Sequence, residues 1–183
     1  MLNKLLYILI FSILLASCSG QEARRPVQKH SGSFIKESAE RNKELYDHEK
    51  DIIENIIAKD SLHTYFTSEK GFWYYYNKRD TSKTIMPKTG DIVEFTYDIK
   101  DFYGNVILTE SENGLQNYLV DQSKQELISG VREGLKLMKE GEKVTFLFPS
   151  YKAYGYYGLE KKIGTNLPVQ STVTLHSIEQ QKE

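Results

Sequence analysis

Residues 127–143 read LISGVREGLKLMKEGEK, and their apolar side chains recur at helical spacing. Val131, Leu135 and Met138 stand at positions i, i+4 and i+7, which places them on one face of a helix. The residues from Lys143 to Phe148, KVTFLF, have the composition of a strand. This part of the chain therefore predicts one short helix that leads into a strand.

Strand-like runs lie on both sides of this segment. Residues 91–99 alternate apolar with polar side chains, residues 171–176 are rich in β-branched side chains, and residues 64–80 contain one or two aromatic runs around Gly71. The alternation in the first run places four side chains on one face: Val93, Phe95, Tyr97 and Ile99. The predicted fold class is therefore α+β, an antiparallel β-sheet whose apolar face is covered by one short helix.

The overall composition is that of a globular protein without a basic surface. The chain has 183 residues, of which 24 are basic and 25 acidic, and hydrophobic residues make up 39%. Nucleic acid is therefore not an expected partner, because proteins that bind it carry a net positive charge or a basic patch. Cys18 is the single cysteine, which excludes an intramolecular disulfide, a thiolate zinc finger and an iron–sulfur cluster.

The N-terminal residues have the pattern of a secretion signal. Lys4 precedes an apolar run from Leu5 to Ala16, and about 18 Å of helix is too short to span a hydrocarbon core of about 30 Å. Leu15-Ala16-Ser17-Cys18 resembles the lipobox of bacterial lipoproteins, which implies cleavage before Cys18 and lipidation of its thiol. We therefore expect a lipoprotein signal peptide at residues 1–17 and a membrane anchor at Cys18. The alternative is an ordinary cleaved signal with a chance cysteine.

Two segments follow the expected anchor. Residues 18–35 are polar and lack apolar periodicity, so we expect a lipidated flexible tether. Ser19-Gly20 lacks an acidic retention signal, which favours the outer membrane, facing the periplasm. Residues 36–62 predict an amphipathic helix with an apolar stripe: Leu45, Ile52, Ile53, Ile56 and Ile57. That stripe either packs on the β domain or recruits a partner from an envelope complex.

The common catalytic motifs are absent from the sequence. It contains no GxSxG, no P-loop, no GxGxxG and no HExxH pattern. Its four histidines are scattered along the chain: His30, His48, His63 and His176. We therefore expect neither a metal site nor histidine-based catalysis, and we expect His176 to face away from the apolar side that Leu175 occupies.

Several blocks of the β-rich region stand in a characteristic order and spacing. They are residues 127–143, Phe148-Pro149, Ala153-Tyr154-Gly155 and Leu167-Pro168, with Gly90-Asp91 through Gly104 upstream. The arrangement resembles the FKBP-type peptidyl-prolyl isomerases over residues 64–180. The resemblance implies an FKBP-like antiparallel sheet wrapped around one short helix, proline-containing polypeptides as clients, and no cofactor.

The order of lipobox, N-terminal helix and FKBP domain further resembles the gliding-motility-associated FKBP-type lipoproteins. That resemblance implies folding assistance to envelope proteins, including those of gliding-motility or secretion machinery.

The reaction of such a family explains the missing nucleophile. Rotation about an X-Pro bond faces a barrier of about 18–20 kcal/mol, because amide resonance stabilises the planar, dipolar form. A dry aromatic pocket favours the less dipolar twisted form, and a few fixed hydrogen bonds can hold the flanking peptide. No covalent bond has to form or break.

The resemblance also assigns site residues by position. Tyr97 matches a pocket aromatic on a strand, Ile128 a backbone N–H that donates to a substrate carbonyl, and Tyr154 a hydroxyl that donates to another carbonyl. The remaining positions match apolar or aromatic walls of the substrate pocket: Ile107, Tyr118, Leu127, Val131, Leu167 and Leu175. Four tyrosines are expected to line its rim: Tyr151, Tyr154, Tyr156 and Tyr157.

Two positions depart from the family pattern. Val131 stands where the family usually has tryptophan on the pocket floor, and Leu108 stands where it usually has a hydrogen-bonding aspartate. The smaller floor grips a prolyl ring less firmly, and Leu108 removes a partner for the Tyr97 hydroxyl. Two functions therefore stay open: a lipid-anchored prolyl isomerase, or a catalytically weak FKBP-like chaperone or structural module of an envelope complex.

Overall fold

The structure, a computed structural model, describes residues 31–122 and 127–181. The helices in these ranges are α1 (Ser31–Lys59), α2 (Glu110–Asn113) and α3 (Ser129–Leu135). The strands in the same ranges are β1 (Phe66–Ser68), β2 (Phe72–Lys78), β3 (Ile92–Tyr97), β4 (Ile99–Lys100), β5 (Val106–Leu108), β6 (Gln116–Leu119), β7 (Lys143–Phe148) and β8 (Val169–Glu179). The expected signal peptide, Cys18 and the expected tether up to residue 30 lie outside the described residues.

The strands form one antiparallel sheet. Its main path runs β1-β2-β7-β8-β3-β6, and the short hairpin β4-β5 joins through β8. On β3, Val93 and Phe95 are buried and Tyr97 is half-buried, as the alternation of residues 91–99 predicted. His176 is exposed and Leu175 is buried, also as predicted. The predicted α+β class with an antiparallel sheet is thus confirmed.

Helix α3 lies against the aromatic face of β7, and two glycines permit that close approach. A Cβ atom at Gly130 would lie 2.5 Å from Cδ1 of Phe148, and one at Gly134 would lie 2.9 Å from the ring of Phe146. The core around the helix is closed to solvent: Phe72, Val93, Phe95, Ile99, Val131, Leu135, Met138, Phe146, Phe148, Val173 and Leu175. Side chains of α3 therefore have fixed positions relative to the sheet.

Helix α1 has different ends from those expected. The described part of the helix includes residues 31–35, which were expected to belong to the tether, and the helix ends at Lys59 rather than at residue 62. Ser31-Gly32-Ser33 has the composition of a linker, and composition alone does not exclude a helix. At the other end, the Asp60 carboxylate accepts the Leu62 N–H at 2.8 Å, which supports a turn in place of further helix.

The described part of the chain divides by its internal contacts into two units, with the boundary between residues 39 and 40. Within the second unit, α1 packs on the face of the sheet opposite the main core. Ile53 is fully buried against Trp73 of β2 and Leu147 of β7. Three residues of the apolar stripe, Ile53, Ile56 and Ile57, therefore pack on the β domain. Across residues 31–122 and 127–181, every helix is either too short or too polar to cross a membrane.

Candidate functional site

Two tyrosines from distant parts of the sequence face the same space. Tyr97 ends β3, Tyr154 follows the 3₁₀ turn Ser150–Lys152, and both pack half-buried against the core cluster. Burial raises the pKa of Tyr154 to about 12, and the neighbouring Tyr97 adds to that effect. Burial also raises the pKa of Tyr97. Both hydroxyls therefore keep their protons at neutral pH.

Both hydroxyls are available to a ligand. Neither makes a hydrogen bond within residues 31–122 and 127–181, and neither is among the buried polar atoms that lack a partner in those ranges. It follows that the two O–H groups reach solvent, although most of each ring is covered. The rings supply apolar surface, and the hydroxyls supply two donors at its edge.

The start of α3 supplies a third donor. Ile128 is the N-cap residue, with φ −56° and ψ 143°, and its carbonyl accepts the Arg132 N–H at 3.2 Å. In the described part of the chain no acceptor engages the Ile128 N–H, as is usual for the first N–H groups of a helix. Val131, one turn further on, is fully buried. An unpaired backbone donor therefore lies one helical turn before a fully buried valine.

The structure brings most of the predicted wall residues to this core. Ile107 and Leu127 are half-buried against it, and Leu175 is fully buried in it. Tyr118 is only 4% exposed, and its hydroxyl accepts the Asp121 N–H at 3.0 Å, so this ring fills the core and holds a turn. Leu167 is 47% exposed and lies at the surface. The roles of all these residues in substrate binding stay predictions.

The tyrosines expected at the rim have different environments. Tyr156 and Tyr157 are exposed, with ring centroids 5.8 Å apart. Tyr151 instead turns toward α1: its ring lies 5.6 Å from that of Tyr46, and its hydroxyl donates to the Gly71 carbonyl at 3.0 Å. These contacts hold Tyr151 against α1 and the residue before β2, and its expected place on the rim stays a prediction.

The loop that carries Tyr154 is held by contacts that the sequence did not reveal. The Ser150 N–H donates to Glu49 Oε2 on α1 at 2.8 Å, and the Ser150 carbonyl accepts the Gly155 N–H at 2.9 Å. The Ser129 hydroxyl, at the start of α3, donates to the Lys152 carbonyl at 3.3 Å. These bonds tie the Tyr154 loop to both helices.

A side-chain hydrogen bond from α2 supports the backbone at Tyr97. The side-chain amide of Asn113 donates to the Tyr97 carbonyl at 3.0 Å, and Asn113 ends the short helix α2. That helix begins with a capping box in which Thr109 and Glu112 satisfy each other's backbone N–H groups. The Thr-x-x-Glu pattern was visible in the sequence and could have located this helix.

Leu108 stands at the position where the FKBP-type family usually has a hydrogen-bonding aspartate, so the site has no carboxylate there. It pairs with Ile99 across the β4-β5 hairpin and is half-buried. The nearby carboxylate of Glu110 accepts the hydroxyl of Thr96, which also lies 3.0 Å from Nε2 of His176. Neither Glu110 nor His176 therefore takes the place of the usual aspartate beside Tyr97.

The arrangement suits binding and twisting of a peptide rather than bond cleavage. It combines an apolar floor, two protonated hydroxyls and one free backbone N–H. Within the described ranges no three His, Cys, Asp or Glu side chains are grouped so that they could hold a metal ion. Donors of this kind can fix two carbonyls on either side of a prolyl ring.

A family model and a curated relative place the chain in the same family. The sequence model of the FKBP-type peptidyl-prolyl cis-trans isomerases matches residues 83–176. The probable FKBP-type peptidyl-prolyl cis-trans isomerase FkpA of Neisseria meningitidis is 32% identical over 158 residues, which cover 86% of this chain and 52% of that protein. The chain thus spans about half the length of the curated relative that it matches.

Two crystal structures share the fold. A peptidyl-prolyl cis-trans isomerase from Pseudomonas syringae is 19% identical, with a TM-score of 0.58, and the match covers 75% of this chain and 96% of that one. FkpA from Escherichia coli is 21% identical, with a TM-score of 0.57, and the match covers 97% of this chain and 82% of that one. The FKBP-like fold predicted from the sequence is confirmed.

Proposed function

Because the chain belongs to the FKBP-type peptidyl-prolyl cis-trans isomerase family, we propose that it accelerates rotation about X-Pro bonds in polypeptide clients. The observation that carries this proposal is that three residues with unpaired donors pack in the same apolar core cluster as Val131. The donors are the Tyr97 and Tyr154 hydroxyls and the Ile128 N–H, and the floor is Val131.

The donors and the floor act on different parts of the substrate. The prolyl ring rests on Val131 and the aromatic walls, where little water is left to stabilise the dipolar planar amide. The Ile128 N–H and the Tyr154 hydroxyl hold carbonyls on the two sides of the rotating bond. Interactions that fit the twisted peptide better than the planar one lower the barrier.

The mechanism needs no acid or base. The pKa of Tyr154, raised to about 12 by burial, keeps its hydroxyl a donor throughout the physiological range. The smaller Val131 floor leaves more room around the ring than a tryptophan would, so we expect turnover below that of family members with an indole at this position.

A protease-coupled assay on capped proline tetrapeptides tests the proposal. The purified chain should raise the rate of cis-to-trans conversion above the uncatalysed rate, which corresponds to tens to hundreds of seconds. Varying the residue before proline shows the preference of the pocket. A folded protein that accelerates none of these peptides would contradict the proposal.

The place of action that we propose is the cell envelope. The sequence from Lys4 to Cys18 supports lipid anchoring through acylated Cys18, with the outer membrane facing the periplasm as the favoured location. Clients would then be proline-containing envelope proteins, including those of gliding-motility or secretion machinery. The N-terminal helix is the proposed contact to an envelope complex.

A second function is favoured by the two departures in the pocket. Val131 and Leu108 weaken the grip on proline and remove a polar partner, which suits a module that binds extended chains without fast turnover. Such a chaperone or structural module would bind proline peptides in an anisotropy titration and leave their isomerisation rate unchanged.

A further inference from the structure

A second concave surface lies behind the loop that carries Tyr154. It is a groove of about 510 Å³ between α1 and the residues after β7, with Leu45, Tyr46, Glu49, Tyr151, Tyr156 and Asn166 in its lining. Gly155 also lines this groove, whereas the adjacent Tyr154 packs toward the proposed prolyl pocket. The groove and the proposed prolyl pocket therefore share one loop, at the consecutive residues Tyr154 and Gly155.

Glu49 is the unusual group in this groove. The residue is 2% exposed, and its Oε2 accepts the Ser150 N–H at 2.8 Å. Its Oε1 is buried and receives no hydrogen bond from any residue that the structure describes. A buried carboxylate oxygen without a donor is costly, so this oxygen has a strong preference for an incoming cationic donor.

The walls of the groove suit a long cationic side chain. The rings of Tyr46 and Tyr151 meet edge to face at 5.6 Å, and Tyr156 stands 73% exposed at the same surface. Aromatic faces attract ammonium and guanidinium groups, and they pack well against the methylene stems of lysine and arginine. A basic side chain thus matches the walls with its stem and Glu49 with its charged end.

Two lysines of the chain lie at the groove, Lys43 and Lys152. Nζ of Lys152 lies 5.5 Å from the centroid of the Tyr151 ring, but it pairs with Glu133 at 2.7 Å. Lys43 lines the groove as well and is exposed, so it is retained unchanged in every variant of the test below.

We infer that the groove is a second subsite that takes a lysine or arginine side chain from the same polypeptide whose proline occupies the first site. The Glu49 carboxylate is the acceptor. This inference rests on the proposed function and narrows it: preferred clients carry a basic residue at a fixed spacing from the proline.

Peptide binding tests the inference. The probes are capped peptides with a Leu-Pro core and either lysine or its uncharged analogue norleucine in a flanking position. The position of that residue is varied one step at a time on both sides of the core. Affinities are measured by fluorescence anisotropy at fixed ionic strength. In one register the lysine peptide should bind at least about tenfold more tightly than the norleucine peptide, as expected for a charge-assisted hydrogen bond.

Two isosteric variants localise that preference. Glu49→Gln should reduce it to within about twofold. Glu54→Gln should leave it intact, because Glu54 is on the same helix, undergoes the same change of charge, and is 53% exposed beside Lys50. The absence of any lysine preference, or an equal loss in both variants, would overturn the inference. If an uncapped norleucine peptide bound as tightly as the lysine peptide, the groove would accept an N-terminal ammonium group, and the inference of a basic side-chain subsite would be overturned.

A measurement on the unmodified protein covers the case in which Glu49→Gln does not fold. The amide resonance of Ser150, whose N–H is bonded to Glu49, should shift with the lysine peptide and not with the norleucine peptide. An unshifted resonance at saturation would overturn the inference. Turnover is recorded on the same samples: no isomerisation with the lysine preference intact refutes only the proposed activity, whereas isomerisation with equal affinities refutes only the basic subsite.

Discussion

The Tyr154 hydroxyl is the single group whose removal tests the prolyl pocket most directly. Tyr154→Phe keeps the half-buried ring and removes an O–H that has no partner in the described part of the chain. We expect the free energy of unfolding to change by no more than about 1.5 kcal/mol, because only one hydrogen-bonding group is lost. We expect kcat/KM on proline tetrapeptides to fall by up to about tenfold.

The matched control is Tyr103→Phe, which removes a hydroxyl from a side chain that is 94% exposed in the β4-β5 hairpin. Its kinetics and its thermal melt should equal those of the unmodified protein. Full activity of Tyr154→Phe, or an equal loss in both variants, would count against the assigned role of Tyr154.

The floor of the pocket can be rebuilt at one residue. Val131→Trp places an indole at the position that matches the family's pocket floor, so we expect kcat/KM to rise. The larger side chain overpacks a closed core, and the free energy of unfolding should fall by about 1–3 kcal/mol. Kinetics and urea unfolding measured on the same preparation separate these effects. Unchanged kinetics in a stably folded variant would show that Val131 does not line the site.

Protonation of the two pocket tyrosines predicts the pH profile. Burial raises the pKa of Tyr154 to about 12 and also raises that of Tyr97, so both hydroxyls stay protonated well above neutrality. We expect kcat/KM to be flat between about pH 6 and 8, since no titrating acid or base takes part. A steep change centred near a histidine pKa would require a different mechanism.

The same pKa shifts affect stability at alkaline pH. In the unfolded chain, the exposed side chain of Tyr154 ionises at about pH 10. In the folded protein, burial raises its pKa to about 12, so it ionises at a higher pH. The contribution of protonated Tyr154 to the free energy of unfolding is therefore fully present below about pH 10, and it is lost as the pH rises toward 12. Urea titrations across this interval should show the decline, and Tyr154→Phe should show less of it.

At the scale of elements, the seating of α3 on β7 controls the position of the Ile128 donor. Gly130→Ala would place a methyl group 2.5 Å from the ring of buried Phe148, so helix and strand must separate. We expect a loss of about 1–3 kcal/mol of stability together with lower kcat/KM, because Ile128 and Val131 move with the helix. Urea unfolding and the tetrapeptide assay measure the two effects.

A second glycine shows whether the effect depends on this contact. A Cβ at Gly164 would lie 3.4 Å from Cδ1 of Leu167, which is a side chain at the surface. Gly164→Ala should therefore change the free energy of unfolding much less than Gly130→Ala. Equal destabilisation by the two substitutions would argue against tight seating of α3.

Elements with a strong local pattern were predictable from the sequence, and those defined by distant contacts were not. The alternation of residues 91–99 predicted β3 and its buried face, and the spacing of Val131 and Leu135 predicted α3. The helical conformation of residues 31–35 was missed, because Ser-Gly-Ser has the composition of a linker. The short helix α2 was missed although its capping box is local.

At the scale of the whole molecule, membrane attachment should depend on one atom outside the described residues. Cys18→Ser removes the thiol that lipidation requires, and the helices of residues 31–122 and 127–181 are too short or too polar to cross a membrane. We expect the variant to be soluble or unprocessed on cell fractionation, with the isomerase domain still folded. Fully processed protein that stays in the membrane would refute lipid anchoring at Cys18.

Residues of the candidate site were likewise predictable only where they lie in recognisable blocks of sequence. Family resemblance located Tyr97, Ile128 and Tyr154, because each stands in a recognisable block of sequence. Glu49 was not foreseen, since a glutamate in a polar helix looks like any surface glutamate until the fold brings it to Ser150, 101 residues away. Nor could the sequence show that Tyr118 fills the core, because a buried tyrosine and a pocket tyrosine follow the same strand pattern.

The central position of β8 also has a consequence for biosynthesis. Strands β3 and β7 do not pair with each other; each forms its ladder with β8, which follows both in the sequence. A nascent chain that has not yet released residues 169–179 can form only separate ladders, namely β1-β2-β7, β3-β6 and the short hairpin β4-β5, and these have open edges. Open edges invite pairing with other chains. During synthesis, this protein therefore exposes strand edges that favour aggregation until β8 emerges.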